Sequence, residues 1–151
     1  MSLMGLTVLI AALTADPNQA STPVTLSYTA VQATNEGHGE RRFERGLEKV
    51  QKALEGLDFD TFARVASGSE SIKLGDEARF PIDDHYALTM SPISTSDDGR
   101  VRVRSRITVT RDGKSRDALD TTQAMVPGKL MNLGGLPMGK GELVVVLSVG
   151  K

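Results

Sequence analysis

The sequence predicts an α+β domain: one amphipathic helix packed on a mainly antiparallel sheet or flattened β-sandwich. Three observations predict it. One segment, Glu40 to Leu57, spaces its apolar residues at helical intervals. Beyond Phe59 the chain breaks into short alternating runs separated by turn residues, the pattern of strands and hairpins. The composition suits one folded body, with 39% hydrophobic residues and 18 basic residues nearly balancing 19 acidic ones.

The 151 residues fit a single domain over 24–151, preceded by an apolar segment and linker over 1–23. A chain this long buries roughly 68–70% of its unfolded surface, enough for a core without covalent staples. A net charge of -1 argues against a nucleic-acid partner, which calls for a positive field. Near-zero net charge and plentiful β-branched residues argue against disorder. The chain has no Cys, which excludes disulfides, thiolate zinc sites and cysteine nucleophiles.

Leu3 to Ala15 (LMGLTVLIAALTA) is apolar and uncharged. A spanning helix needs about 20 such residues, so no membrane span is expected. The length matches the apolar region of a secretory signal, with Ala11, Ala12 and Ala15 ahead of Asp16-Pro17, although a basic leader is missing. The same run also suits a first core strand. The signal reading places the protein in the periplasm or cell envelope; the strand reading leaves it in the cytoplasm. Asp16 to Pro23 reads as a polar linker.

Val24 to Ala33 alternates, with Val24, Leu26, Tyr28 and Ala30 on one side, and predicts a half-buried strand. Thr34 to Gly39 is a polar loop. In the predicted helix, Phe43, Leu47, Val50, Leu54 and Leu57 form the stripe that packs on the sheet. Gly46 weakens that helix by about 1 kcal/mol, and Gly56 sits where a left-handed cap is expected. Phe59 to Ser67 reads as a strand. Ser71 to Leu74 and Ala78 to Ile82 flank Gly75-Asp76-Glu77 as a hairpin. His85 to Ile93, the turn Asp97-Asp98-Gly99 and the strand Arg100 to Thr110 follow. Asp112-Gly113 is a strong signal for a two-residue hairpin, with Arg111 opposite Lys114 and Thr108 opposite Asp117. Leu119 to Val126 returns, Pro127-Gly128 turns, and Lys129 to Leu133 enters a loop over Gly134 to Gly141. Leu143 to Val149 closes the chain as a strand covered on both faces.

The chemistry-bearing residues are few. Arg100, Arg102, Arg104 and Arg106 alternate with Val101, Val103, Ser105 and Ile107, so neighbouring arginines on one face lie about 6.6 Å apart. Such a row can bind an anion or a partner; the favoured reading is a solvated face paired with nearby carboxylates, Asp83, Asp84, Asp117 and Asp120 among them. His38 in Glu36-Gly37-His38-Gly39-Glu40 and His85 after Asp83-Asp84 are the only histidines, and neither has a metal-ligand spacing. The segment GGLPMGKG, Gly134 to Gly141, nearly spells a phosphate-binding loop. It lacks the Ser or Thr that holds magnesium, and a strand follows where a helix N-terminus is needed. Gly68-Ser69-Glu70-Ser71 lacks the elbow of a serine hydrolase. The pairs Asp83-Asp84 and Asp97-Asp98 are adjacent in sequence, so on strands they would point to opposite faces. No cofactor and no metal is expected.

The C-terminal residues Pro127-Gly128-Lys129, Leu133-Gly134-Gly135-Leu136 and Gly141 to Val149 (GELVVVLSV) carry a resemblance. Over this stretch the chain resembles the closing hairpin of uncharacterised exported bacterial β-rich proteins, and faintly the strand–Gly-Gly–strand element of secretin-type outer-membrane assembly proteins. The resemblance implies an envelope-located β-rich accessory domain and brings no catalytic residues.

The expected function is therefore a non-catalytic exported or envelope-associated domain acting by protein–protein interaction, through a protein partner or self-association at a sheet edge. The alternative is a small-ligand binder or hydrolytic enzyme using His38 and His85 with nearby carboxylates, which would require a concave pocket.

Overall fold

The computed structural model describes residues 22–150, so the run Leu3–Ala15, read as signal or strand, lies outside the described residues. Alternation builds most of the rest. In β1 (Val24–Thr34), Leu26, Tyr28 and Ala30 are buried on one side, while Thr25, Ser27 and Thr29 face the other way. In β6 (Val101–Arg111), Val101, Val103, Ser105, Ile107 and Val109 are buried, and Arg102, Arg104 and Arg106 point outward. The other elements are β2 (Arg42–Phe43), α1 (Gln51–Leu54), β3 (Thr61–Ile72), β4 (Ala78–Pro81), β5 (Tyr86–Thr95), β7 (Lys114–Met125), β8 (Leu130–Met138) and β9 (Gly141–Val149).

These strands form two sheets, ordered β2-β3-β1-β9-β8 and β4-β5-β6-β7. Every pairing is antiparallel except the two-residue parallel contact of β2 with β3. The sheets pack face to face: one core cluster draws Leu26, Val145 and Leu147 from the first and Leu88, Val103 and Ile107 from the second. Two tyrosines tie the layers. The Tyr28 ring lies 4.9 Å from that of Phe80, and the Tyr86 hydroxyl donates to the Pro137 carbonyl at 2.7 Å. A second cluster covers the outer face of the first sheet, where Val31, Ala33, Phe62, Val144 and Val146 meet Leu47, Val50 and Leu54. β9 therefore is covered on both faces, as its apolar run requires.

The α+β expectation is overturned. Of the described residues, 62% are strand and 3% helix, and no helix reaches seven residues. Where an 18-residue helix was expected over Glu40 to Leu57, the only helical turn is α1. Two local causes stand out. Gly46 has φ +100°, a backbone state that no right-handed helix contains. Ahead of it, Arg42 and Phe43 pair with Thr61 and Phe62, and the two phenyl rings stack at 4.9 Å. The Glu44 N–H then donates to the Phe62 carbonyl at 3.0 Å, and the Glu44 carboxylate accepts from the Arg64 N–H at 2.7 Å. Beyond Gly46 the chain proceeds by tight turns, Leu47 to Glu44, Val50 to Leu47 and Leu57 to Leu54. A three-residue turn carries Leu47 to Val50 and the single α-helical turn carries Val50 to Leu54, whose N–H donates to the Val50 carbonyl at 3.3 Å, so the stripe is buried without a long helix.

Two further expectations change. Gly75-Asp76-Glu77 does not close a hairpin: β3 belongs to the first sheet and β4 to the second, so this segment crosses between layers. Gly134 and Gly135 do not begin a loop but form a bulge inside β8, between Leu133 and Leu136, and the turn follows at Gly139-Lys140. The Asp112-Gly113 hairpin is as expected, with φ 53° and 74°, Arg111 opposite Lys114 and Thr108 opposite Asp117. A bulge at Ala118 follows, and the ladder resumes with Ile107 opposite Leu119.

Candidate functional site

The outer face of the second sheet is set by the β6 ladder. Arg106 stands opposite Thr89 on β5 and Asp120 on β7; Arg104 stands between Ser91 and Thr122; Arg102 stands between Ser94 and Ala124. Arg104 forms a fork with Asp120, its Nε 3.0 Å and its Nη2 2.7 Å from the two carboxylate oxygens. This bond, with the charges behind it, lowers the Asp120 pKa and raises that of Arg104. Arg106 reaches Glu77 at 3.1 Å. Arg100 lies in the turn before β6, its Nε 3.3 Å from Asp98. Arg102 is the arginine of the four with no ion pair among the described residues. The row is thus a mixed face in which three guanidinium groups already hold carboxylates.

His38 and His85 lie in turns attached to different sheets. His38, at φ 53°, occupies the turn after β1, beside Asp60. The Asp60 carboxylate accepts from the Gly37 N–H at 2.8 Å, the Gly39 N–H at 2.9 Å and the Thr61 hydroxyl at 2.8 Å. The Gly39 bond leads the causes that lower the Asp60 pKa. His85 lies in the turn between β4 and β5, its Nδ1 3.2 Å from the Thr110 carbonyl. The two histidines share no hydrogen-bond partner in the described residues, and no three His, Cys, Asp or Glu side chains among those residues are grouped to hold a metal. An open recess of about 600 Å³ lies between Val24, Leu74 and Ile93–Asp97, at the opposite end of the strands from both histidines. Asp83 accepts from the N–H groups of His85 and Tyr86, and the Asp98 carboxylate is held by the Ser96 hydroxyl and the Arg100 N–H. Both aspartates serve turns.

The sheet edges differ in how they are guarded. β4 is four residues long and ends in Pro81. β8 is broken by the Gly134–Gly135 bulge and carries Pro137, which has no N–H to give. β3 is paired by β2 at its start, receives the Glu44 carboxylate at Arg64, and contains Gly68 and Glu70 further on. β7 has a charged first half and a bulge at Ala118, but Leu119 to Met125 (LDTTQAM) runs on with a single charge, no Gly and no Pro. That one charge, Asp120, is turned toward Arg104.

The parity of the edge follows from the hairpin. A two-residue turn makes Arg111–Lys114 a hydrogen-bonded pair, so alternate residues of β7 bond to β6. Carried through the bulge, this gives Thr121, Gln123 and Met125 to β6 and leaves the N–H and C=O groups of Asp120, Thr122 and Ala124 facing the open side. The Thr110 N–H, bonded to the His85 carbonyl at 2.7 Å across the other flank of β6, has the parity this requires. That Leu119 to Val126 forms a strand is readable in the sequence; its place at an edge is not, because that depends on the order of strands. No family model, curated protein or solved structure matches the chain.

Proposed function

We propose that the chain is a non-catalytic, exported β-sandwich module that holds a protein partner by strand addition along Leu119–Met125 of β7. The observation that carries this reading is the unguarded edge itself: seven residues of regular strand whose alternate backbone groups face outward. The uncharged run Leu3–Ala15, with the small residues Ala11, Ala12 and Ala15 at its end, supports export. The resemblance of the C-terminal hairpin to exported β-rich proteins supports an envelope setting.

Crosslinked capture from the envelope and cytosolic fractions of the native host tests the reading, with the native chain beside Thr122→Pro. The Thr122 N–H faces the open edge, so proline there spares the chain's own ladder. The expected result is an envelope partner captured by the native chain and lost by a variant that keeps its circular dichroism. Equal capture by both proteins overturns the edge reading, and a partner confined to the cytosol overturns the export reading.

A further inference from the structure

We propose that the strand received by this edge is β7 of a second copy, paired antiparallel about a two-fold axis through Thr122. The proposal rests on the strand-addition reading above and names its partner. About this axis Thr122 faces its own equivalent, Asp120 faces Ala124, Thr121 faces Gln123 and Leu119 faces Met125, so all seven residues find a place. An axis moved along the strand loses overlap at one end, and an axis at Asp120 sets two aspartates opposite each other, which destabilises the pair. Thr122 has the parity of a hydrogen-bonded pair, as have Asp120 and Ala124, so the junction supplies about six backbone hydrogen bonds.

Charge fits the same register. Ala124 stands beside Arg102 in the ladder, so Asp120 of one copy lies in line with Arg102 of the other, about 10 Å away between Cα atoms across two strand spacings. Arg102 is the arginine of the row without a carboxylate among the described residues. Pairing gives it one and continues the outer face as a single eight-stranded sheet, with Asp120 held by Arg104 of its own chain and approached by Arg102 of the other. Seven residues a side is a small interface, so association falls in the weak, micromolar-to-millimolar range.

The test uses sedimentation of the purified chain up to about 1 mM, the weak end of that range, with three variants. The expected results are a concentration-dependent dimer, at least about tenfold weaker in Thr122→Pro and in Arg102→Glu, the latter a rim charge reversal. Thr122→Cys is expected to oxidise to a covalent dimer while an Asp117→Cys control does not. A hydrogen-bonded antiparallel pair sets its Cα atoms about 5.5 Å apart, within disulfide range, and the chain carries no other cysteine. If Thr122→Pro fails to fold, the crosslink and Arg102→Glu decide. A monomer at every concentration with no crosslink overturns the proposal, as does a dimer indifferent to all three changes. A synthetic peptide spanning 118–126 separates the two failures: peptide binding that shifts the β7 amide resonances without dimerisation of the chain leaves strand addition standing and overturns the dimer, and no binding overturns self-pairing while the capture comparison with Thr122→Pro decides strand addition to another protein.

Discussion

The Asp60 carboxylate accepts three hydrogen bonds, and its role is architectural. Its two oxygens gather the Gly37 and Gly39 N–H groups and the Thr61 hydroxyl, closing the turn that leads from β1 to β2. These bonds favour the charged form, so the folded pKa lies below the ordinary value of 3.8. A depressed carboxylate contributes stability that is present above the unfolded pKa and is lost as pH falls through the folded one. Asp60→Asn is therefore expected to lower the melting temperature at neutral pH and to flatten its decline below about pH 4, the unfolded carboxylate range; parallel acid limbs in the two proteins would contradict this. Asp120 obeys the same sign, with Arg104 as the cause. In Arg104→Ser the Asp120 carboxyl is expected to titrate closer to 3.8, read by carbon-detected NMR across the acid range.

At the scale of elements, the segment 40–57 offers a change whose sign separates two structures. In a helix, Gly46→Ala stabilises by about 1 kcal/mol. At φ +100° the same change makes only an ordinary contact, with the Arg64 guanidinium at 3.7 Å, yet the backbone state disfavours any Cβ. The expected outcome is destabilisation by about 1–2 kcal/mol in denaturant melts. Leu47→Ala and Leu54→Ala each empty a fully buried site in the second cluster and are expected to cost roughly 2–5 kcal/mol. The stripe was legible in the sequence because spacing near three and spacing near 3.6 bury almost the same residues. The backbone was not, because the parallel bridge to Phe62 and the Glu44 carboxylate on Arg64 are tertiary contacts that propensity does not register. Strands fared better. The alternations of Val24–Ala33 and Val101–Val109, the Asp112-Gly113 turn and the doubly covered β9 each depend on a short-range pattern that one sheet face enforces. The Gly75 and Gly134 segments misled because a glycine marks a sheet crossing or a bulge as readily as a turn. The arginine row was legible as an outward face, but which of its members would be left unpaired depended on where Glu77 and Asp120 came to lie.

For the whole molecule, chain order decides what holds together. β1 and β9, the first and last long strands among the described residues, lie side by side at the centre of the first sheet, with Leu26 opposite Val149 and Ala33 opposite Glu142. Both strands feed both hydrophobic clusters: β1 through Leu26, Ala30, Val31 and Ala33, β9 through Val144 to Leu147. Opening either cluster strips one face of these two strands, whereas β7 can fray from the far edge while the cluster between the sheets stays largely closed. Local stability is set by such burial, and amides in the best covered elements exchange only through global unfolding. The Val144, Val145 and Val146 amides are therefore expected to share one opening free energy, equal to that of global unfolding. The amides of Thr121 and Gln123, bonded on the inward side of β7, are expected to exchange through smaller openings that hardly respond to denaturant. Native-state hydrogen exchange at rising urea concentration reads both. The β7 values are expected to climb with protein concentration, because pairing at the open edge covers that strand and binding to the folded state adds stability by mass action. Fast, denaturant-insensitive exchange at Val145 would show that the two clusters do not share β9 as their common wall.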